Sequence, residues 1–454
     1  MGDHDAVGLA AEIRAGVLDP HAVLEAAIAR VERVDPRLRG VQFACFERAR
    51  EQSESTGPFA GVPAFIKDNV DVAGLPTGHG SAAFTTHPAK RSSEPAEQFL
   101  AQGFTLLGKS TLPEFGLTAS TEYVDRPPTR NPWNTEHSAG ASSGGSAALV
   151  AAGAVPIAHA NDGGGSIRIP AAVNGLVGLK VTRARLLDQP GVRQLPVNLV
   201  AEGVVTRTVR DTAHYLAAAE SFRANPQLTP VGLVEGPTGR RLRIGLVRHD
   251  VLGRSVHHEV DATVESAAKT LAALGHQVDE LRLRLDPQFV EDFKLYWALV
   301  AILMGGSAKL THRRQFRLRG LDPFTRGLAR YAASNPHRLV PAIRRLQGAT
   351  RIYDGHFDDI DVLISPVLSQ PAPLIGEHSP SQPFAELFTK LIDYVGFTPL
   401  NNVGGGPAIV VPHGLMSGNL PGSVQLSAAR GDERTLLDLA YQLEAASPFP
   451  RITG

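Results

Sequence analysis

The chain has little sulfur and no net charge. Its 454 residues include one cysteine, Cys45, which excludes internal disulfides and cysteine-based zinc sites. Cys45 lies in "VQFACFERAR", which reads as buried, so an inert core thiol is expected rather than a nucleophile. Lys and Arg total 45, and so do Asp and Glu. With zero formal charge, no basic tail advertises a nucleic-acid partner. The most basic stretch, "THRRQFRLRG" (311–320), reads as a helix face. No uncharged run approaches the roughly 18 residues of a membrane span. The N-terminus, "MGDHDAVGLAAEIRAG", carries acids early and lacks the basic-then-apolar order of a signal peptide. These absences predict a cytoplasmic chain with no membrane and no nucleic-acid partner.

What is present suits a large core: 43% of residues are hydrophobic and 20% charged. "HAVLEAAIARVERVD" has helical spacing, with "RVDPRLRG" expected to stop it. "FAGVPAFIKDNVDVAG" has the short apolar runs of strands. "SEPAEQFLAQG" reads as a helix ending at Gly103, followed by the strand-like "FTLLGK". Further on, "LRIGLVRHD", "GHQVDELRL", "DVLISPVL", "PAIVVPHGL" and "GSVQLSAAR" read as strands among helices. Strands alternating with helices predict an α/β layered fold. No internal repeat appears. The stretch 222–241 reads as a long loop inside one domain.

Two motifs mislead. "GFTLLGKS" (103–110) matches the phosphate-loop pattern, but its variable positions are bulky and apolar and read as a strand themselves. Ser166 has His137 and His159 near it in sequence, yet the nucleophile-elbow pattern fails because Arg168 stands where its last glycine belongs. No metal-ligand spacing appears.

Three segments carry chemistry together. "GVPAFIKDNVDVAG" places Lys67 at the end of an apolar strand. "TRNPWNTEHSAGASSGGSAA" sets Ser142 and Ser143 beside glycines. "NDGGGSIRIPAAVNGLVGLK" runs Gly163, Gly164 and Gly165 into Ser166. A glycine turn lets backbone approach a substrate closely and lets successive N–H groups form a concave donor nest. Such donors suit the oxyanion that forms when a serine attacks a carbonyl. Alone, the segment also reads as a structural turn. A serine nucleophile needs a base, and a lysine can serve once burial lowers its pKa. A lone lysine at a strand end otherwise usually reaches out to water.

In this order and spacing, the three segments resemble the amidase signature family of serine hydrolases. The signature runs from about Gly140 to Lys180 and its core from about 60 to 215, with wider resemblance along most of the chain. The resemblance implies one amidase domain over 1–454. Its fold would be three-layer α/β/α, with a central mixed β-sheet flanked by helices. It implies a Ser–cis-Ser–Lys triad: Ser166 as nucleophile, Ser142 as the bridging residue on a cis peptide, Lys67 as base. It further implies oxyanion-hole amides from Gly163, Gly164, Gly165 and Ser166. Asp162 and Arg168 would hold the turn. Ser143 and Ser146 would cap or pack the next helix, with Ser143 able to bond near Ser166. Neither metal nor organic cofactor is required.

The expected reaction is hydrolysis of an amide, anilide or carbamate through a Ser166 acyl-enzyme, with esterase or urethanase activity open. The alternative is the glutaminase component of an aminoacyl-tRNA amidotransferase complex. That subgroup has Gly-Ser-Ile-Arg-Gln and Thr-Asp-Thr, where this chain has Ile169 after Arg168 and "NDG". "GPFAGVP", "TRNPWN" and "AHANDGGGS" look more like stand-alone bacterial amidases near the 6-aminohexanoate cyclic-dimer hydrolase group. A small apolar or aromatic amide or carbamate is the expected substrate, handled by a monomer or homodimer. Pocket walls are expected from 119–126, 290–330 and 368–400. "YWALVAILMGG" (296–306) reads first as a core helix and second as a pocket wall.

Overall fold

The computed structural model describes residues 4–52, 55–312 and 315–452. Within them, the apolar runs form one eleven-stranded sheet. In chain order its strands are β1 (Val41–Ala44), β2 (Pro63–Lys67), β3 (Thr105–Ser110), β4 (Ile157–Asp162), β5 (Val177–Lys180) and β6 (Ala201–Thr206). Then come β7 (Arg243–Leu246), β8 (Gln277–Glu280), β9 (Val362–Ser365), β10 (Ala408–Met416) and β11 (Leu420–Ala428). Their spatial order is β1-β3-β2-β4-β6-β5-β10-β11-β9-β7-β8. The sheet is mixed: β2 runs parallel to β3 and β4, while β6 is antiparallel to β4 and β5.

Every residue of β2 to β6 is buried. That follows from helices covering both faces, since a strand enclosed twice has no need of polar alternation. Ala64 and Ile66 join one apolar cluster, which also contains Leu216 and Leu436 from flanking helices. Phe65 between them joins the opposite cluster, with Ile28 and Leu149 from other helices. Successive side chains of a strand point to opposite faces, so β2 alone stitches the three layers together. Burying one such Phe stabilises by about 1.5–3 kcal/mol. The expected three-layer α/β/α architecture is what the chain adopts.

Several local expectations change. The helix Pro20–Leu38 runs through Pro36 instead of stopping there. Pro36 falls in the last turn, so little helix follows it, and Arg39 closes the end in the left-handed conformation at φ 56°. β5 and β6 are not among the strands that the sequence reading gives. Cys45 is only half-buried, yet burial still pushes its thiol up to about 11, and Sγ donates to Leu106 O at 3.2 Å.

In the basic stretch, residues 313–314 lie outside the described set. Beyond them Phe316 packs on Phe84 (centroids 5.0 Å apart) and Leu318–Gly320 is a short 3-10 turn, so no long helix face forms there. Residues 223–242 form neither helix nor strand, as the sequence suggests. The helix Gln288–His312 contains a stretch, Gln288–Leu310, long and apolar enough to cross a membrane by composition alone. It packs against the helices Pro323–Ala333 and Pro336–Asp354, and 44% of its most apolar window is buried.

Candidate active site

Lys67 ends β2 with no exposed surface. Its Nζ donates to Ser142 Oγ at 2.7 Å and to Asn161 Oδ1 at 2.7 Å. Burial pushes the ammonium down to about 7, against the opposing pull of the Glu202 and Asp162 carboxylates. The Ala141–Ser142 peptide is cis. Ser142 also needs Gly116 nearby: a Cβ on Gly116, whose φ is 71°, would stand 2.9 Å from Ser142 Oγ. The next residue, Ser143, begins the helix Gly144–Ala151 but its side chain makes no cap. Instead Ser143 Oγ donates to Ser166 O at 2.6 Å, with Ser143 N at 3.3 Å from the same carbonyl. Ser146 Oγ donates to His159 O at 2.7 Å, tying that helix to β4.

The glycine turn joins β4 to the helix Arg168–Asn174. Asp162, at the end of β4, organises it. Its Oδ1 accepts from Gly165 N at 2.7 Å, and its Oδ2 from Ile167 N at 3.1 Å and Arg168 Nε at 2.9 Å. Burial would raise this carboxyl, but the Arg168 guanidinium and the Asn402 amide hold it well below the usual carboxylate range. Arg168 has no exposed surface and reaches on to Asn402 Oδ1 (2.6 Å) and Gln425 Oε1 (2.8 Å). Asp162 and Arg168 therefore brace the turn from behind.

One sequence expectation narrows here. The Gly165 amide is engaged by Asp162 and is not available to an oxyanion. Among the described residues no hydrogen bond takes up the Gly163, Gly164 or Ser166 amides. Gly165 has a conformational role instead. Its φ is 130°, and a Cβ there would collide with Thr398 Oγ1.

Two cavities meet at Ser166. The larger, about 300 Å³, is walled by Ser142, Asn161, Ser166 and Glu202 at its polar end and by side chains such as Val300 and Leu303 elsewhere. The smaller, about 60 Å³, is walled mainly by Phe293, Phe324, Phe388 and Ile392. Trp297 and Leu117 line both. The segments 290–330 and 368–400 thus supply walls, whereas 119–126 supplies only Ala119. The stretch 296–306 is both things at once. Tyr296 and Ala298 are in the core, while Trp297 and Val300 face the cavity one helical turn apart.

The family model for Amidase matches residues 22–437. The chain belongs to the amidase signature family. It is 47% identical over 457 residues to AmiC of Mycobacterium tuberculosis (strain ATCC 25618 / H37Rv), covering 100% of this chain and 96% of that one. It is 33% identical over 479 residues to the 6-aminohexanoate-cyclic-dimer hydrolase of Paenarthrobacter ureafaciens, covering 98% and 95%. A solved structure of 6-aminohexanoate cyclic dimer hydrolase complexed with substrate superposes with TM-score 0.88 at 32% identity, over 98% of this chain and 97% of that one. A bacterial aryl acylamidase structure superposes with TM-score 0.85 at 26% identity, over 98% and 96%. The chain is accordingly an amide-hydrolysing enzyme of the amidase signature fold.

Within this amidase, sequence reasoning missed several site residues. Asn161 is the second acceptor of Lys67, and Asn69 Nδ2 bonds the same Oδ1 at 3.1 Å. Both stand inside segments already singled out, "FIKDN" and "HANDGGGS", so a search for amide partners of Lys67 would have found them. Gln189, Val192 and Val200 come from a stretch with no such signal. The phosphate-loop lookalike resolves as β3, where Lys109 pairs with the buried Asp68 at 2.8 Å. His257, His258 and Glu259 bring ligand-type atoms within 4.8 Å of one another, but they line neither cavity.

Proposed function

We propose that the chain hydrolyses uncharged amides, anilides or carbamates through an acyl-enzyme on Ser166. The supporting observation is the 2.7 Å bond from Lys67 Nζ to Ser142 Oγ on the wall of the cavity that also holds Ser166. Neutral Lys67 takes a proton from Ser142, which takes one from Ser166. Ser166 Oγ attacks the carbonyl, and the Gly163, Gly164 and Ser166 amides receive the developing oxyanion. The proton returns through Ser142 to the leaving nitrogen. Water then attacks the ester, Lys67 and Ser142 again serving as base. A carbamate follows the same path, since its carbonyl presents the same atoms to Ser166. The sheet draws strands from residue 41 to residue 428, which supports reading 1–454 as one domain.

The cavity walls favour this over the glutaminase component of a larger complex. Among the described wall residues there is no Arg or Lys to receive the carboxylate of glutamine, and Glu202 would repel it. Ser166→Ala tests the proposal, with a simple anilide and the matching aryl carbamate as substrates. Wild type cleaves at least one, and the folded variant loses roughly 10⁴-fold or more in kcat. A folded Ser166→Ala with full activity overturns the nucleophile assignment. Ammonia release from glutamine, with neither aryl substrate cleaved, overturns the stand-alone reading.

A further inference from the structure

We infer that Trp297 divides the substrate, with the acyl group in the smaller cavity and the amine in the larger. The preferred substrates are therefore short-chain acyl amides of bulky, uncharged amines. The inference rests on Ser166 as nucleophile and Ser142 as proton relay.

Trp297 lines both cavities and is held in place. Its Nε1 donates to Leu117 O at 3.1 Å, and its ring stacks on Phe293 with centroids 5.7 Å apart. A Cβ on Gly163 or Gly164 would lie 3.9 or 3.5 Å from the indole, so the ring rests against the glycine turn beside Ser166. An aromatic ring anchored by both a hydrogen bond and a stack has little freedom to swing aside.

Proton flow sets the direction. When the C–N bond breaks, the electron pair goes to nitrogen, and the proton from Ser166 Oγ reaches that nitrogen through Ser142. The nitrogen must then lie on the Ser142 side. Ser142 and Asn161 wall the larger cavity and, among the described residues, not the smaller. The new Ser166 Oγ–carbon bond leaves the acyl chain pointing to the other side, toward Phe324 and Phe388.

Volume sets the sizes. An apolar cavity of roughly 150 Å³ holds a benzene ring. The smaller cavity has about 60 Å³, under half of that. It favours a chain of about three carbons over a ring. The larger, about 300 Å³, has room for a substituted ring. The aromatic wall also disfavours a charged acyl group, which would lose its hydration with no ion to replace it.

Two isomers separate the arrangements: N-benzylpropanamide, with a short acyl group on a bulky amine, and N-ethyl-2-phenylacetamide, the reverse. Both are alkyl amides of one formula, so intrinsic reactivity barely distinguishes them. The expected kcat/KM favours N-benzylpropanamide by at least about 10-fold. Phe388→Ala and the milder Phe388→Leu both enlarge the smaller cavity and should bring the ratio toward one. A wild-type ratio at or below one overturns the division, as does a ratio that neither folded variant moves. If only anilides are cleaved, acetanilide must outrun phenylacetanilide; the reverse order overturns the division while leaving the hydrolase reading intact. Failure on all these substrates overturns the proposed substrate class, and an active, folded Ser166→Ala overturns the nucleophile assignment; either removes this inference.

Discussion

Lys67 and Lys180 make an instructive pair. Each ends a strand of the same sheet, each is buried, and burial brings each ammonium down to about 7. Their partners differ. Lys67 donates to a hydroxyl, Ser142 Oγ, on a cavity wall. Lys180 donates to two backbone carbonyls, Val181 O at 3.0 Å and Gly406 O at 2.8 Å. A carbonyl has no proton to give, so a neutral Lys180 has nothing to abstract. Perturbed pKa values gather at functional sites, but buried structural groups show them as well. What distinguishes the proposed base is a partner with an exchangeable proton and a path to substrate.

The largest expected effect breaks the pair apart. Lys67→Met removes the base and should lower kcat by about 10³-fold while the protein stays folded. Lys180→Met should do the opposite. It leaves kcat unchanged but strands two buried carbonyls, costing about 1–3 kcal/mol in a denaturant titration. If Lys180→Met abolishes turnover in folded protein, or Lys67→Met retains it, the distinction fails.

Asp162 acts on both lysines, since its charge opposes the lowering at each. It also holds Gly165, Ile167 and Arg168 in place. Asp162→Asn leaves the Arg168 charge buried and unpaired, and should cost about 3–5 kcal/mol of stability, read from the unfolding midpoint. A loss below 1 kcal/mol would show that Asn402 and Gln425 hold Arg168 unaided.

This turn also shows what a sequence can reveal. Glycine and serine types at fixed spacing single out Gly163 to Ser166, Ser142 and Lys67, but it is the family resemblance of the three segments together that gives them roles; alone, each reads equally as structure. The engagement of the Gly165 amide was not legible, because it depends on which way one N–H points after Asp162 is seated. Cavity walls were legible only in part. Helical period marks Trp297 and Val300 as one face, but not whether core or empty space lies opposite. The Asn161–Lys67 bond spans 94 positions, so only the pairing of two segments already singled out points to it.

Glu202 sharpens the comparison most finely, because among the charges named for the two lysines it acts on Lys67 and not on Lys180. Lys67 works as a base only when neutral, so kcat/KM should rise with pH through about 7 and level off above it. The Glu202 carboxylate favours the protonated lysine and therefore holds that limb higher than burial alone would. Its link to the site is direct, since Asn161 Nδ2 donates to Glu202 Oε1 at 3.5 Å while Asn161 Oδ1 accepts from Lys67. Glu202→Gln keeps an acceptor for Asn161 and removes the charge. The acid limb should then move to lower pH, by about one unit or less, with the plateau rate little changed. A limb that stays in place would show that the Glu202 charge does not reach Lys67, although Glu202 Oε2 lies 3.1 Å from His159 Nε2. A limb that moves upward would contradict Lys67 as the titrating base.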